Sequence, residues 1–538
     1  MKRAIFPAVL SGLLLGVTTI GNGPFFHAHW AIFFGFVPLW AYWQKEKSAR
    51  ILFFSGWLCQ FVFTLIAFHW IAHTVKEFSH MGSIPSTMVM LAYCGIANLQ
   101  FPLAGLAWHY SFRNRSLPLL AQIAALAMFT ALFQRLGTTI FHWNFGYAWL
   151  YMGWPGMHIA DIAGFRFLCS FSICLNGFFL IAWLKRGRRG WQTPALLGIF
   201  AFLLINAIGW LNFVRLPEPD SIARVLLIQP NVGNREKEIL EYGEDGFRLA
   251  ILKKYFAQTE AALSSLPFPP HFAVWPENAF PSIIGERDLA VGLAPELKAF
   301  LVRNRLSLLT GSFGIDGSGE KITNSLFALS PLGKWSSEPY HKMILLPFGE
   351  YIPLAKNFPF LKKWLPDVRD YGWGIAPLIL NSGDIRIGPQ ICYEGLFDYI
   401  SRDLANLDAQ LIVNVTNDSW YGDWMEPWQH FYITMAKAVE TRRPLIRATN
   451  TGLSGVILAS GKFQEISPIN EKWAHLYEVP YLKEPPKTIF MRWGYWVDWI
   501  FLGGGLFILL LLRFTHQKYV TNSSICAIRA DEENTKRS

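Results

Sequence analysis

Three residues in the polar middle of this chain have the types and the settings for nucleophilic chemistry. Cys392 closes the apolar run IRIGPQIC and is followed at once by Tyr393, Glu394 and Gly395. It reads as a nucleophile on a strand-to-helix turn, where a thiolate would attack an electrophilic carbon. Glu277, in VWPENAF, is flanked by Trp275 and Pro276, and an apolar setting suits a carboxylate to proton transfer. Lys342, in YHKMILLPFGEY, would set a positive charge beside the oxyanion that forms when a thiolate attacks a carbonyl. Taken singly, each has an ordinary reading: a small core hydrophobe, a loop acid, a surface lysine. They occur in the order glutamate, lysine, cysteine, at intervals of 65 and 50 residues.

The elements that must hold them are legible in the hydrophobic pattern. ARVLLIQPNV, HFAVWPEN, LSLLTGSFGI, IRIGPQICYEG and AQLIVNVTND are apolar or alternating runs bounded by turn residues, which predicts strands. REKEILEYGEDGFRLAILKKYFAQTEAALSSL and EPWQHFYITMAKAVETRR carry helical spacing, and NSLFALSPLGKW and TGLSGVILASGKFQ predict hairpins. A layered α/β domain over 216–488 follows, large enough for its own core. Glu277 and Cys392 fall at strand ends, where open α/β sheets gather their sites, and Lys342 follows a hairpin. The remaining cysteines, Cys59, Cys94, Cys169, Cys174 and Cys526, lie in apolar segments or in the tail, so a disulfide framework is not expected.

The rest of the chain is built for a bilayer. With 52% hydrophobic and only 16% charged residues, it is too apolar for an ordinary soluble protein. A spanning helix needs ~20 residues of low polarity, and eight segments qualify: 4–22, 26–44, 51–72, 84–110, 117–135, 157–184, 194–214 and 493–512. The first follows Lys2 and Arg3 but lacks a small-residue cleavage site, which favours a retained helix over a signal peptide. The expected organisation is a transmembrane domain of seven helices over 1–215, the α/β domain over 216–488, an eighth helix over 489–513 and a cytoplasmic tail over 514–538. Lys2, Arg3, Lys45, Lys47, Arg50, Arg113, Arg115, Lys185, Arg186, Arg188 and Arg189 all fall on one side of such a bundle, against Lys76 and Arg135 on the other. That asymmetry puts the N-terminus in the cytoplasm and the α/β domain outside it. It also accounts for the net charge of +10 without invoking nucleic acid. Outside the cytoplasm, ATP and acyl-CoA are not at hand, and the nearest abundant esters are phospholipids.

The words WPE, K-x-x-L-L-P-F-G-E-Y and C-Y-E at these spacings resemble the nitrilase superfamily, whose site is a Glu-Lys-Cys triad. Gln229 to Asn231, NVTNDSWYG from Asn414 to Gly422, PWQH from Pro427 to His430 and RPLIRATNTGLSG from Arg443 to Gly455, together with the spans, extend the likeness over nearly the whole chain. In these it resembles the apolipoprotein N-acyltransferase family, the integral membrane branch of that superfamily. The resemblance implies a multi-pass α-helical membrane domain carrying an extracytoplasmic nitrilase-like αββα sandwich. It implies Cys392 as the nucleophile that takes an acyl chain from a membrane phospholipid as a thioester, Glu277 as proton carrier and Lys342 as oxyanion cation. The acceptor would be the N-terminal amine of a diacylated apolipoprotein, and the place a bacterial inner membrane with the catalytic domain in the periplasm.

Supporting roles fall on Glu350 and Glu394 at further acidic positions of the family pattern, and on Tyr393, expected to shape the thioester pocket. A second carboxylate near Lys342 would fix its ammonium and keep it protonated. Trp420, Trp424 and Trp428, with Met425 and Phe431, and the run Phe358, Phe360, Leu361 and Trp364 are apolar surface expected to meet lipid or to cover an acyl channel. Trp143, in FHWNFGYAW, matches a family loop near the site. The chain departs from the family pattern where Lys237-Glu238 replaces a Lys-Trp pair, and where WPEN stands for WPET. No metal, cofactor or nucleotide motif is present in the sequence, and a monomer is expected. A membrane-tethered amidase or hydrolase with the same triad and a non-catalytic lipoprotein-binding membrane protein remain open as alternatives.

Overall fold

The computed structural model describes residues 2–514 apart from 22, 80, 114–116, 138, 234–244, 318, 354, 356, 361, 363–367 and 369. Its polar half is built on twelve strands. In chain order they are β1 (Ser221–Gln229), β2 (Phe272–Val274), β3 (Leu308–Ile315), β4 (Ile322–Leu329), β5 (Tyr340–His341), β6 (Leu380–Ser382), β7 (Ile385–Ile391), β8 (Leu411–Thr416), β9 (Leu445–Thr449), β10 (Gly455–Ile457), β11 (Phe463–Ile466) and β12 (Trp473–Tyr481). They make two six-stranded sheets, ordered β12-β1-β2-β3-β4-β5 and β11-β10-β9-β8-β7-β6.

Side chains alternate across a strand, and β1 shows what each face meets. Val225 and Leu227 share a core with Ile387, Leu411, Val413 and Val415 of the other sheet. Leu226 and Ile228 share a second core with Trp275, Leu297 and Phe300, next to the helices Asp245–Ser265 and Ala294–Asn304. The helices Asp398–Asn406 and Glu426–Thr441 pack on β7 and β9. Helix, sheet, sheet, helix is the resulting order, which is why LIVNVT of β8 is buried at every position.

In the other half, six helices among the described residues are long and apolar enough to cross a membrane: Ala49–Ala67, Ser83–Ser111, Leu119–Leu136, Pro155–Lys185, Gln192–Val214 and Trp496–Phe514. Two of the eight expected segments, 4–22 and 26–44, have no counterpart among these six. Over 4–22 the α-helix Lys2–Gly16 gives way to a 3-10 turn, Val17–Thr19. Over 26–44 a 3-10 stretch, Gly23–Phe33, precedes a short α-helix, Val37–Trp43. Gly21, Gly23 and Pro24 cluster at the junction of the two segments, and Gly35 separates the two parts of the second. Lys2–Gly16 nevertheless packs closely on Ala49–Ala67, because a Cβ at Gly12 would stand 2.7 Å from Val62 Cβ and one at Gly16 2.8 Å from Ile66 Cβ.

Helix breaks at membrane depth need their freed backbone groups satisfied. The segment 84–110 breaks at 97–99, between Ser83–Ile96 and Gln100–Ser111, and Gln60 Oε1 accepts the Phe101 N–H at 3.1 Å. Gly164, at φ +75°, interrupts Ala160–Lys185, and the Phe165 N–H donates to Glu440 Oε1 of the α/β half at 3.0 Å. Further bonds join the halves. Arg442 Nη2 is 2.8 Å from Asp161 Oδ2, Arg166 Nε is 3.2 Å from Asp398 Oδ2, and Gln429 Nε2 donates to Ala67 O at 2.9 Å.

Candidate active site

β7 and β8 run parallel with Ile391 opposite Val415, so Cys392 and Thr416 leave the sheet side by side. Cys392 has φ +51°, a left-handed backbone that costs a residue with a side chain about 1–3 kcal/mol. Three contacts hold it there. Its carbonyl oxygen accepts from Asn414 Nδ2 at 3.3 Å and stands 3.3 Å from His430 Nε2, and the N–H of Ile391 just before it donates to Glu394 Oε2 at 2.8 Å.

Glu277 stands three residues beyond the end of β2, on the WPEN turn. Gly311 of β3 lies directly beneath, where an added Cβ would come within 2.6 Å of Glu277 Cα and Asn278 N. Trp275 anchors the turn in the second core and donates from Nε1 to Thr259 Oγ1 at 3.1 Å. Lys342 follows β5, its backbone N–H bonded to Asn324 O at 2.8 Å.

Lys342 and Glu277 meet, and both lie within electrostatic reach of Cys392. Lys342 Nζ lies 3.4 Å from Glu277 Oε1 and 2.8 Å from Glu350 Oε2. Asn324 Nδ2 bridges the two carboxylates, at 2.7 Å from Glu277 Oε1 and 3.0 Å from Glu350 Oε1. Burial, with 1% of Lys342 exposed, works against its charge, but Glu350, Glu277 and Cys392 outweigh it and hold the ammonium protonated well above the ordinary lysine range. Burial pushes the Cys392 thiol up, and Glu277 adds to this, while Lys342 and the Thr416 hydroxyl pull it down. The arrangement is a resting thiol beside a carboxylate, with a fixed cation next to both.

The expected supporting residues separate. Glu350 pairs with Lys342 and also accepts the Leu346 N–H at 2.8 Å. Glu394 is fully buried and accepts four donors: Tyr340 Oη at 2.8 Å, Met343 N at 2.6 Å, Ile344 N at 3.2 Å and Ile391 N at 2.8 Å. It braces the Cys392 turn against the segment that carries Lys342. Tyr393 donates from its hydroxyl to Ile140 O, tying the residue after the nucleophile to the membrane-domain loop that carries Trp143. Trp143 itself is buried against Tyr147 and Tyr151.

The other tryptophans meet the membrane half. Trp420 stacks on Phe78 with centroids 4.5 Å apart, Trp424 lies 5.0 Å from His69, and Trp428 Cβ lies 2.6 Å from where a Cβ on Gly21 would stand. Phe358 and Phe360 are exposed and edge to face. Leu361, Trp364, Lys237 and Glu238 lie outside the described residues.

Several residues at this site were not singled out in the sequence. Asn324 sits in the polar stretch Thr323–Ser325 that precedes the apolar run of β4, with no sequence signal of its own. Thr416, Asp418 and His430 sit inside the words NVTNDSWYG and PWQH without any sign of a joint role. Asp418 accepts from His430 Nδ1 at 3.0 Å and pairs with Arg447 Nη2 at 2.9 Å. Asp418, Glu426 and His430 bring their ligand atoms within 4.8 Å of one another, but the charge facing them is the Arg447 guanidinium. Tyr421, buried edge-on to Trp70, lies within the electrostatic reach of Cys392 and Glu277.

An αββα sandwich with glutamate, lysine and cysteine at its strand ends, seated on apolar helices, defines a membrane-embedded enzyme of the carbon–nitrogen hydrolase class. Residues 267–469 match the carbon-nitrogen hydrolase family model, and residues 11–178 match that of the apolipoprotein N-acyltransferase N-terminal domain. The apolipoprotein N-acyltransferase of Bdellovibrio bacteriovorus is 36% identical over 92% of this chain and 91% of its own length. That of Geobacter metallireducens is 32% identical over 60% of this chain and 62% of its own. Among solved structures, an amidase from Nesterenkonia sp. overlays with a TM-score of 0.32 at 18% identity, over 49% of this chain and 93% of that one. The chain belongs to the apolipoprotein N-acyltransferase family, and is an acyltransferase.

Proposed function

We propose that this chain moves a fatty acyl group from a membrane phospholipid to the N-terminal amine of a diacylated apolipoprotein, through a thioester on Cys392. The observation that carries the reading is the placement of Lys342 Nζ, 3.4 Å from Glu277 and 2.8 Å from Glu350, beside a thiol on a left-handed turn. Glu277 accepts the thiol proton, and the sulfur attacks the ester carbonyl carbon. The carbon–oxygen bond breaks, and the leaving lysophospholipid takes the proton from Glu277. In the second half the amine attacks the thioester, Glu277 carries the amine proton to the sulfur, and the carbon–sulfur bond gives way to an amide.

Lys342 stays protonated throughout, so its part is electrostatic, a contribution of about 3–4 kcal/mol for a well-aimed group on an oxyanion. Both half-reactions use side chains of one chain and need no cofactor, which fits a monomer. The basic residues gathered on one side of the bundle support a cytoplasmic N-terminus and a periplasmic catalytic domain in a bacterial inner membrane. The units are then 1–215, with the two interrupted N-terminal segments as part of the bundle, 216–488, 489–513 and the tail 514–538. Trp420, Trp424 and Trp428, lying against Phe78, His69 and Gly21, fit an apolar rim between the catalytic domain and the lipid.

The experiment is acylation of a synthetic diacylated cysteine peptide by the purified protein in detergent with phospholipid. The peptide is expected to gain one fatty acyl mass as a hydroxylamine-stable amide, and to gain none with Cys392→Ala. Free fatty acid accumulating beside an unchanged peptide would instead make the chain a hydrolase.

A further inference from the structure

Thr416 ends β8 immediately beside the nucleophile and is fully buried. Its hydroxyl carries one proton and faces two acceptors. Oγ1 donates to Asp418 Oδ1 at 3.2 Å, and the same hydroxyl stands near enough to the Cys392 thiol to pull its pKa down. The register of β7 on β8, with Ile391 opposite Val415, makes that second contact a consequence of the sheet. The bond to Asp418 is long for an O–H···O pair, whose usual separation is about 2.7–2.8 Å. Asp418 does not depend on it, because Arg447 Nη2 reaches both of its oxygens at 3.1 and 2.9 Å and His430 Nδ1 lies at 3.0 Å. Lys342 spends its short contacts on Glu350 and Glu277, so its help to the sulfur is a field and not a direct bond.

We propose that Thr416 is a further catalytic residue, a swinging donor whose hydroxyl turns from Asp418 to the Cys392 sulfur whenever that sulfur carries charge. In the resting enzyme the thiol is neutral and Thr416 donates to Asp418. When Glu277 takes the thiol proton, the Thr416 O–H rotates onto the thiolate, and no proton is transferred in that rotation. Formation of the carbon–sulfur bond removes the negative charge and returns the hydroxyl to Asp418. In the second half-reaction the departing sulfur becomes negative again and receives the same donor until it takes the amine proton from Glu277. The proposal rests on the thioester route, and Asp418, held by Arg447 and His430, is its positioning residue.

The test is the pH profile of Cys392 alkylation by iodoacetamide in the full-length protein in detergent, quantified on the Cys392 peptide so that the other thiols do not contribute. Thr416→Val keeps the shape and removes the donor. It is expected to alkylate roughly tenfold to a hundredfold more slowly at a given pH, the range for a hydrogen bond to a charged group, with its profile displaced to alkaline pH. Thr416→Ser, which restores the donor, is expected to bring the profile back. Thr416→Ala repeats the comparison should the valine variant melt below the assay temperature. A Thr416→Val or Thr416→Ala protein that alkylates with the wild-type profile overturns the proposal, even if its acyl transfer is impaired. Failure of the thioester route is a separate result, read from Cys392→Ala still acylating the peptide.

Discussion

Glu394 lies two residues beyond Cys392, and its carboxylate accepts the N–H of Met343, the residue after Lys342, at 2.6 Å. One buried side chain thereby fixes the nucleophile's turn relative to the cation's segment. Burial pushes the Glu394 carboxyl up to about 7, against the pull of Ile391, Met343 and Tyr340, which donate to its ionised form.

Glu394→Gln turns one acceptor oxygen into a donor facing other donors. The expected result is a loss of about 1–3 kcal/mol in stability and at least a tenfold fall in acyl transfer, because the turn and the cation lose their common brace. Thermal unfolding in detergent and the peptide acylation rate check the two parts. A variant that is less stable but as fast as wild type would leave Glu394 a packing residue only.

Asn324 bonds both carboxylates that face Lys342, at 2.7 and 3.0 Å. Asn324→Ala removes that bridge, and Glu277 is then held by fewer fixed donors. The expected change is a fall in kcat of about tenfold to a hundredfold, the effect of one hydrogen bond to a charged group, with KM for phospholipid little changed. A rise in KM at constant kcat would place Asn324 in substrate binding instead.

Burial favours the neutral form of Asp418, yet Arg447 and His430 prevail and hold its carboxyl well below the usual carboxylate range. A carboxyl depressed in the folded state contributes stability above its unfolded value, 3.8, and loses it as pH falls below that value. Arg447→Met strands the carboxylate and is expected to cost about 3–5 kcal/mol near neutral pH. The gap in Tm between wild type and variant should narrow as the pH is lowered below 3.8, because the unfolded chain then takes up a proton that the wild-type carboxylate, held lower by its ion pair, does not, whereas protonation relieves the folded variant. A gap independent of pH would mean that Asp418 is not ionised in the fold.

Much of this was readable because the candidate residues sit where local chemistry shows. Cys392 and Glu277 follow apolar runs that end in turn words, and the runs became β7 and β2. Lys342 and Glu350 share a single loop, eight residues apart, so one motif carried both. What stayed hidden depends on tertiary contact. Asn324 lies within a predicted hairpin, and only the packing of β4 turns its amide toward Glu277, 47 residues away. Arg442 and Asp161 meet across 281 residues of sequence, beyond the reach of periodicity. Glu394 has the same residue type as any surface acid, and its role lies in the four donors that burial brings to it. The segment 26–44 is apolar enough for a helix, but composition does not weigh the break made at Gly35.

The thioester on Cys392 is the centre of the account, and the intact mass of the purified protein after incubation with phospholipid alone tests it most directly. The account predicts one added fatty acyl mass on wild type, absent from Cys392→Ala and released by neutral hydroxylamine or by a diacylated peptide. Folded wild-type protein that acylates the peptide yet never carries an acyl mass, even under rapid quenching, would contradict it and require direct transfer from phospholipid to amine.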